Sequence, residues 1–199
     1  MIAIIDYGMG NLRSVQKAFE TVGAKAQVTC KAGDILSADK VVLPGVGAMG
    51  PAMQKLQELA LTGPIGKVIQ DGKPFLGICL GLQLLFERSS EGGFSEGLKI
   101  LEGSVERFTE LKVPHMGWNQ VEIDPAGRAM FAGLHSGENV YFCHSYYVKP
   151  KDASIAAGMT EYGVSFVSAI VKENIWGVQF HPEKSQRAGL QILKNFGGL

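Results

Sequence analysis

The sequence predicts an α/β fold of three layers, with a mostly parallel central sheet flanked by helices and an antiparallel extension. Three observations carry this. In the N-terminal half, short apolar runs alternate with stretches of helical period, the pattern of βαβ units. Beyond Ser89 the pattern changes to strand-like pieces separated by turns. Of 199 residues, 46% are hydrophobic and 19% charged, which suits a single domain over residues 1–199 with ample material for a core.

The elements follow in order. Residues 1–5 are a continuous apolar run ending at Asp6 and the glycine-rich Tyr7-Gly8-Met9-Gly10-Asn11. Leu12, Val15, Ala18, Phe19 and Val22 then recur at helical spacing, and Gly23 stops that helix. Residues 27–29 and 40–43 read as two further strands. The second is followed by Pro44-Gly45-Val46-Gly47 and a helix over 53–59, and another helix runs through 65–69. The apolar run Pro74-Phe75-Leu76 meets Gly77-Ile78-Cys79-Leu80-Gly81, which leads into a helical pattern over 83–87. Residues 89–97 form a polar, glycine-rich loop. Residues 98–101, 105–108 and 139–143 are strand-like and are assigned to the antiparallel extension. Residues 167–171 and 175–180 flank Lys172-Glu173-Asn174 as a hairpin that delivers His181 to the sheet's edge. A last helix covers 188–196.

Composition narrows the function. A formal net charge of +0 leaves no global field for nucleic acid or an anionic membrane, and no stretch approaches a membrane span. Cys30, Cys79 and Cys143 are widely spaced, with no CxxC pair or zinc-like cluster, and the start lacks a basic leader. A reducing cytoplasm is expected. The four histidines contain no HExxH-type pattern, so neither a metal nor another cofactor is expected.

Cys79 carries the chemistry. A nucleophile on a strand-to-helix elbow needs small residues on both sides, and here they are Gly77 and Gly81. An ordinary thiol is only a few per cent ionised at neutral pH, so the position must favour the thiolate through the helix N-terminus and a nearby imidazolium. His181 in His181-Pro182-Glu183 supplies that imidazole. In an extended segment residues two apart face the same way, so Glu183 can accept from Nδ1 of His181 and leave Nε2 for Cys79. Acyl transfer also needs oxyanion donors. The N–H of Leu80 and the Pro44-Gly45-Val46-Gly47 turn are the two backbone sources. Residues 45–50 match GxGxxG after a strand, but Pro44 and Pro51 bracket the turn and no acidic residue stands at the next strand's end, which argues against a dinucleotide.

With PGVG, GICLGLQLLFE and GVQFHPE in order and spacing, the chain resembles the class I, or triad, glutamine amidotransferases over nearly its whole length. The start IIDYGMGNLRSV, Pro114-His115-Met116-Gly117-Trp118-Asn119 and Tyr141-Phe142-Cys143-His144-Ser145-Tyr146 are similar to the branch that serves histidine biosynthesis. The resemblance implies a glutaminase with Cys79, His181 and Glu183 as triad and Val46 and Leu80 as oxyanion donors. It implies that Gly47, Gln83, Glu91, Ser145 and Tyr146 hold the glutamine. It also implies a heterodimer with a (β/α)8-barrel cyclase subunit that receives the ammonia, with Met9, Asn11, Pro114, Met116 and Trp118 at or near the interface. Two departures, Leu82 and Cys143, change no chemical group in that mechanism. An amidotransferase subunit of anthranilate or pyridoxal phosphate synthesis, a cysteine hydrolase of peptides or esters, and a catalytically silent copy of the fold remain the alternatives. A complete triad argues against the silent copy.

Overall fold

The computed structural model describes residues 1–199. Its N-terminal half runs β1 (Ile2–Ile5), α1 (Leu12–Thr21), β2 (Ala26–Thr29), α2 (Ala32–Ser37), β3 (Lys40–Gly45), α3 (Met49–Glu58), α4 (Thr62–Gln70), β4 (Phe75–Cys79) and α5 (Leu80–Gln83). Then follow β5 (Phe86–Ser89), β6 (Ser95–Glu96), β7 (Leu101–Arg107), β8 (His115–Ile123), β9 (Glu138–His144), β10 (Tyr146–Pro150), β11 (Ala156–Tyr162), β12 (Val164–Lys172), β13 (Ile175–Val178) and α6 (Gln186–Gly197). The sheet order is β2-β1-β3-β4-β13-β12-β10-β7-β5-β6, with β11 on β12, β8 on β11 and β9 on β8.

The strands from β2 to β13 are all parallel, and the register sets Gly45 beside Cys79 and Val178 beside Ile78. The C-terminal ends of β3, β4 and β13 therefore meet at one end of the sheet, the usual place for a ligand in an open α/β sheet. Both faces there are covered. Ala3, Ile5, Val41, Leu43 and Phe75 pack with α2, α3 and α4, whereas Ile2, Ile4, Val42, Leu76 and Ile78 pack with α1 and α6. This explains the unbroken apolar runs: a strand buried on both faces has no polar side to alternate with.

The expected antiparallel extension follows, because the second half of the chain returns by turns instead of crossover helices. Two expectations need correction. The helical pattern over 83–87 is not one helix: α5 ends at Gln83 and Phe86 already lies in β5. Leu84, Leu85 and Phe86 are fully buried, and their carbonyls accept from the N–H groups of Leu98, Ile100, Leu101 and Lys99, so tertiary pairing takes the backbone away from the helix. Finally, β13 lies between β4 and β12, so His181 leaves the middle of the sheet and not its edge. β8, β10 and β11 were not anticipated. Of the 98–101 and 105–108 pieces only residues 101 and 105–107 lie in a strand, the single β7, while residues 98–100 and 108 lie outside it.

Candidate active site

Cys79 ends β4 with φ 53° and ψ −108°, a left-handed conformation that is strained for a side-chain-bearing residue. Its glycine neighbours make the turn feasible. A Cβ on Gly77 would lie 2.8 Å from the Gly81 carbonyl oxygen, and one on Gly81 would collide with the carbonyl of Leu43. The helix that follows is only four residues long. Its dipole contributes little, contrary to the expectation that the helix N-terminus would favour the thiolate. The sulfur instead receives a hydrogen bond from Nε2 of Gln179 at 3.6 Å, and it shares the cavity with His181.

His181 is held by its backbone and its ring. Its N–H donates to the Tyr141 carbonyl at 2.9 Å, its carbonyl accepts from Ser185 Oγ at 2.6 Å, and that hydroxyl accepts from the Tyr141 N–H at 2.9 Å. α6 approaches the Pro182 carbonyl so closely that only glycine fits at position 189. Nδ1 of His181 lies 2.9 Å from Oε1 of Glu183, with both side chains buried. The carboxylate reaches back from a 3-10 turn, Pro182–Lys184, and not along an extended segment as the spacing suggested. Burial alone would lower the imidazole pKa. Hydrogen bonds to Cys79 and Glu183, with the charges of both, outweigh it and push the value up to about 10. These neighbours favour the protonated ring, which balances a buried carboxylate whose Oε2 has no other partner.

These groups open onto a cavity of about 440 Å³. Val46, Gly47 and Ala48 after β3, Cys79, Leu80 and Gln83 at the elbow, Ser145 and Tyr146 where β9 gives way to β10, and His181 after β13 line it, together with Glu91 and Pro114. Nε2 of Gln83 donates to the Tyr146 carbonyl at 2.9 Å and to Oε1 of Gln179 at 3.0 Å. Both of its hydrogens are committed, so Gln83 can offer a ligand only its acceptor, Oε1. Oε2 of Glu91 accepts from the Met49 N–H at 2.9 Å and so occupies the start of α3. A carboxylate at the end of the GxGxxG turn leaves no place for a dinucleotide pyrophosphate. No group of three or more His, Cys, Asp or Glu side chains converges as a metal site.

The class-I glutamine amidotransferase family model matches residues 3–197. The chain belongs to that family. Imidazole glycerol phosphate synthase subunit HisH of Syntrophotalea carbinolica is 55% identical over 208 residues, covering all of both chains, and that of Moorella thermoacetica is 54% identical, covering all of this chain and 94% of the relative. Among solved structures, a glutamine amidotransferase superposes with a TM-score of 0.78 at 15% identity over the full length of both chains. PurLQS of Thermotoga maritima gives 0.76 at 16%, covering 98% of this chain and 96% of that one. At those identities the structures speak for the fold.

For an amidotransferase, the sequence-derived residues are well grouped. Val46, Gly47, Cys79, Leu80, Gln83, Glu91, Ser145, Tyr146 and His181 all line one cavity, with Glu183 directly behind His181. Of the expected interface residues, Pro114 lines the cavity, and a Cβ on Gly47 would lie 2.9 Å from Met9 Cε. Met116 and Trp118 stand outside the cavity on β8, 61% and 49% exposed, and Asn11 is exposed at the start of α1. The sequence reading missed Gln179, Ser185, Gly189 and the pairing of His115 with His144. A signal for Gln179 exists: a lone amide between Val178 and Phe180 in an apolar strand must find buried partners.

Proposed function

We propose that this chain is the glutaminase subunit of an imidazole glycerol phosphate synthase. In that role it hydrolyses glutamine to glutamate and passes the ammonia to a (β/α)8-barrel cyclase subunit, in a cytoplasmic heterodimer serving histidine biosynthesis. The observation that carries this reading is full-length identity of 54 to 55% to relatives of that name. The site supports it. Cys79 Sγ, as a thiolate whose proton has passed to Nε2 of His181, attacks the side-chain amide carbon of glutamine, and the N–H groups of Val46 and Leu80 donate to the oxyanion, each such donor being worth about 3 kcal/mol in the transition state. As the C–N bond breaks, the Nε2 proton of His181 goes to the leaving nitrogen, a step suited to an imidazole whose pKa its neighbours raise. Water then attacks the γ-glutamyl thioester, giving a proton to the now neutral Nε2, and glutamate leaves as the C–S bond breaks. Glu183 holds the ring throughout.

Gly47, Gln83, Glu91, Ser145 and Tyr146 hold the glutamine in this reading, with Oε1 of Gln83 accepting from a substrate N–H. Met9, Asn11, Pro114, Met116 and Trp118 surround the outlet toward the cyclase. Ammonia in bulk water is mostly protonated and lost as a nucleophile, so a hydrolytic site of this kind needs an acceptor docked over it. The test is glutamate release from glutamine by the chain alone and with a cyclase subunit carrying its nucleotide ligand. Low activity alone and a large rise with the loaded partner is the expected result; high activity that ignores the partner would overturn the assembly.

A further inference from the structure

A polar chain runs from β8 to the sulfur of Cys79, and Asn119, His115, His144 and Gln179 in it have no part in the mechanism above. Nδ2 of Asn119 donates to the Glu161 carbonyl at 2.9 Å and to Nε2 of His115 at 3.3 Å. Its Oδ1 accepts from the Gln120 N–H, which fixes the amide's orientation. Nε2 of His115 is therefore an acceptor and its Nδ1 carries the proton. That proton is given to Nε2 of His144 at 3.0 Å, and Nδ1 of His144 donates to the Tyr146 carbonyl at 2.8 Å. The same carbonyl accepts from Gln83, whose second hydrogen goes to Oε1 of Gln179, leaving Nε2 of Gln179 to face the sulfur. Each tautomer and amide orientation follows from its neighbour, because a reversal at any point would set two donors or two acceptors against each other. The two histidines, Gln83 and Gln179 are all buried.

We propose that Gln179 is a positioning residue for the Cys79 nucleophile, its donor held toward the sulfur by Gln83, the Tyr146 carbonyl and a neutral His144–His115 pair. This rests on Cys79 being the nucleophile. It goes further in assigning a task to an amide that neither transfers a proton nor touches the departing ammonia. An N–H aimed at sulfur is strongest when the sulfur is charged, and it also fixes the rotamer from which the thiolate attacks.

Gln179→Glu tests it, because the carboxylate keeps an acceptor for Gln83 and nearly the same volume while replacing the donor at the sulfur. Measured on the full chain with the loaded cyclase subunit, kcat should fall by about a hundredfold, with the KM for glutamine within about threefold. Iodoacetamide labelling, followed at the peptide carrying Cys79 because Cys30 is exposed and Cys143 half-buried, should need a higher pH to reach half its plateau. Gln179→Met should fall between the two, at about tenfold. Should Gln179→Glu fail to fold, the histidines decide. His144→Asn keeps a donor near the place of Nδ1 and should retain activity within about threefold, and His144→Leu should lose about tenfold. An unchanged labelling profile in Gln179→Glu, or equal losses in His144→Asn and His144→Leu, would overturn the proposal. Glutamine turnover by Cys79→Ala would instead overturn the nucleophile assignment beneath it.

Discussion

The parallel half of the sheet and the β8–β9 ribbon meet at the same cavity but are built differently. Around Cys79 every strand is covered on both faces, and the elbow tolerates no Cβ at Gly77 or Gly81. The ribbon is one-sided. His115 and His144 point inward, with rings 4.7 Å from Phe142 and 5.3 Å from Phe108 respectively, whereas Met116 and Trp118 stand in solvent. The parallel half is rigid where chemistry needs a fixed geometry. The ribbon presents exposed apolar side chains that gain most by being covered, and its inner face reaches the nucleophile through hydrogen bonds.

The largest expected effect lies at the rigid end. Cys79→Ala should lower glutamine turnover by roughly 10⁴-fold or more while the thermal midpoint barely moves; retained turnover in a glutamate-release assay would remove the cysteine from the mechanism. Glu183→Gln should leave the fold intact and cost about 10³ to 10⁴ in kcat, since an orienting carboxylate sets the tautomer of its histidine. Gly81→Ala should destabilise by about 3 kcal/mol or more in denaturant unfolding, because the added methyl meets the Leu43 carbonyl. An unchanged midpoint there would show that the elbow relaxes, and the contrast with the ribbon would weaken.

The ribbon should respond to acid first. Burial lowers the His115 pKa to about 4 and that of His144 to about 3, where burial is the leading cause and His115 and His181 add to it. Between these values and the unfolded value of about 6.5, the unfolded chain binds protons that the folded chain excludes. Stability therefore falls as pH drops below about 6.5, by at most about 1.4 kcal/mol per pH unit for each histidine. His181 has the opposite sign: its contribution is complete below about 6.5 and is lost as pH rises through about 10. Hydrogen exchange at pH 5 should thus show β8 and β9 opening before β1 and β4, and simultaneous opening would refute this. The smallest stability effect belongs to Trp118→Ala, within about 1 kcal/mol, because the ring is about half exposed at 49% and packs edge-on to Tyr141 at 6.0 Å. Its consequence should be seen in activation by the cyclase subunit; activation equal to that of the unaltered chain would exclude Trp118 from the interface.

Much of this was legible in the residues. The βαβ units followed from periodicity, the elbow from glycines around Cys79, and the His181–Glu183 pairing from two-residue spacing, although the turn that achieves it is 3-10. Local sequence is enough in such cases because the partners are neighbours in the chain or the pattern reports burial directly. Other features lay out of reach. Nothing near Leu84-Leu85-Phe86 says that residues 98–101 will capture their carbonyls and end α5. Nothing near Gln179 names Cys79, a hundred positions away, as the acceptor of its N–H. By itself the sequence determined which residues are apolar, where the chain must turn and which side chains can act as nucleophile, acid and carboxylate. Only the tertiary structure decided which of them meet, because hydrogen bonds between distant segments and the volume allowed around each glycine exist only once the sheet has closed.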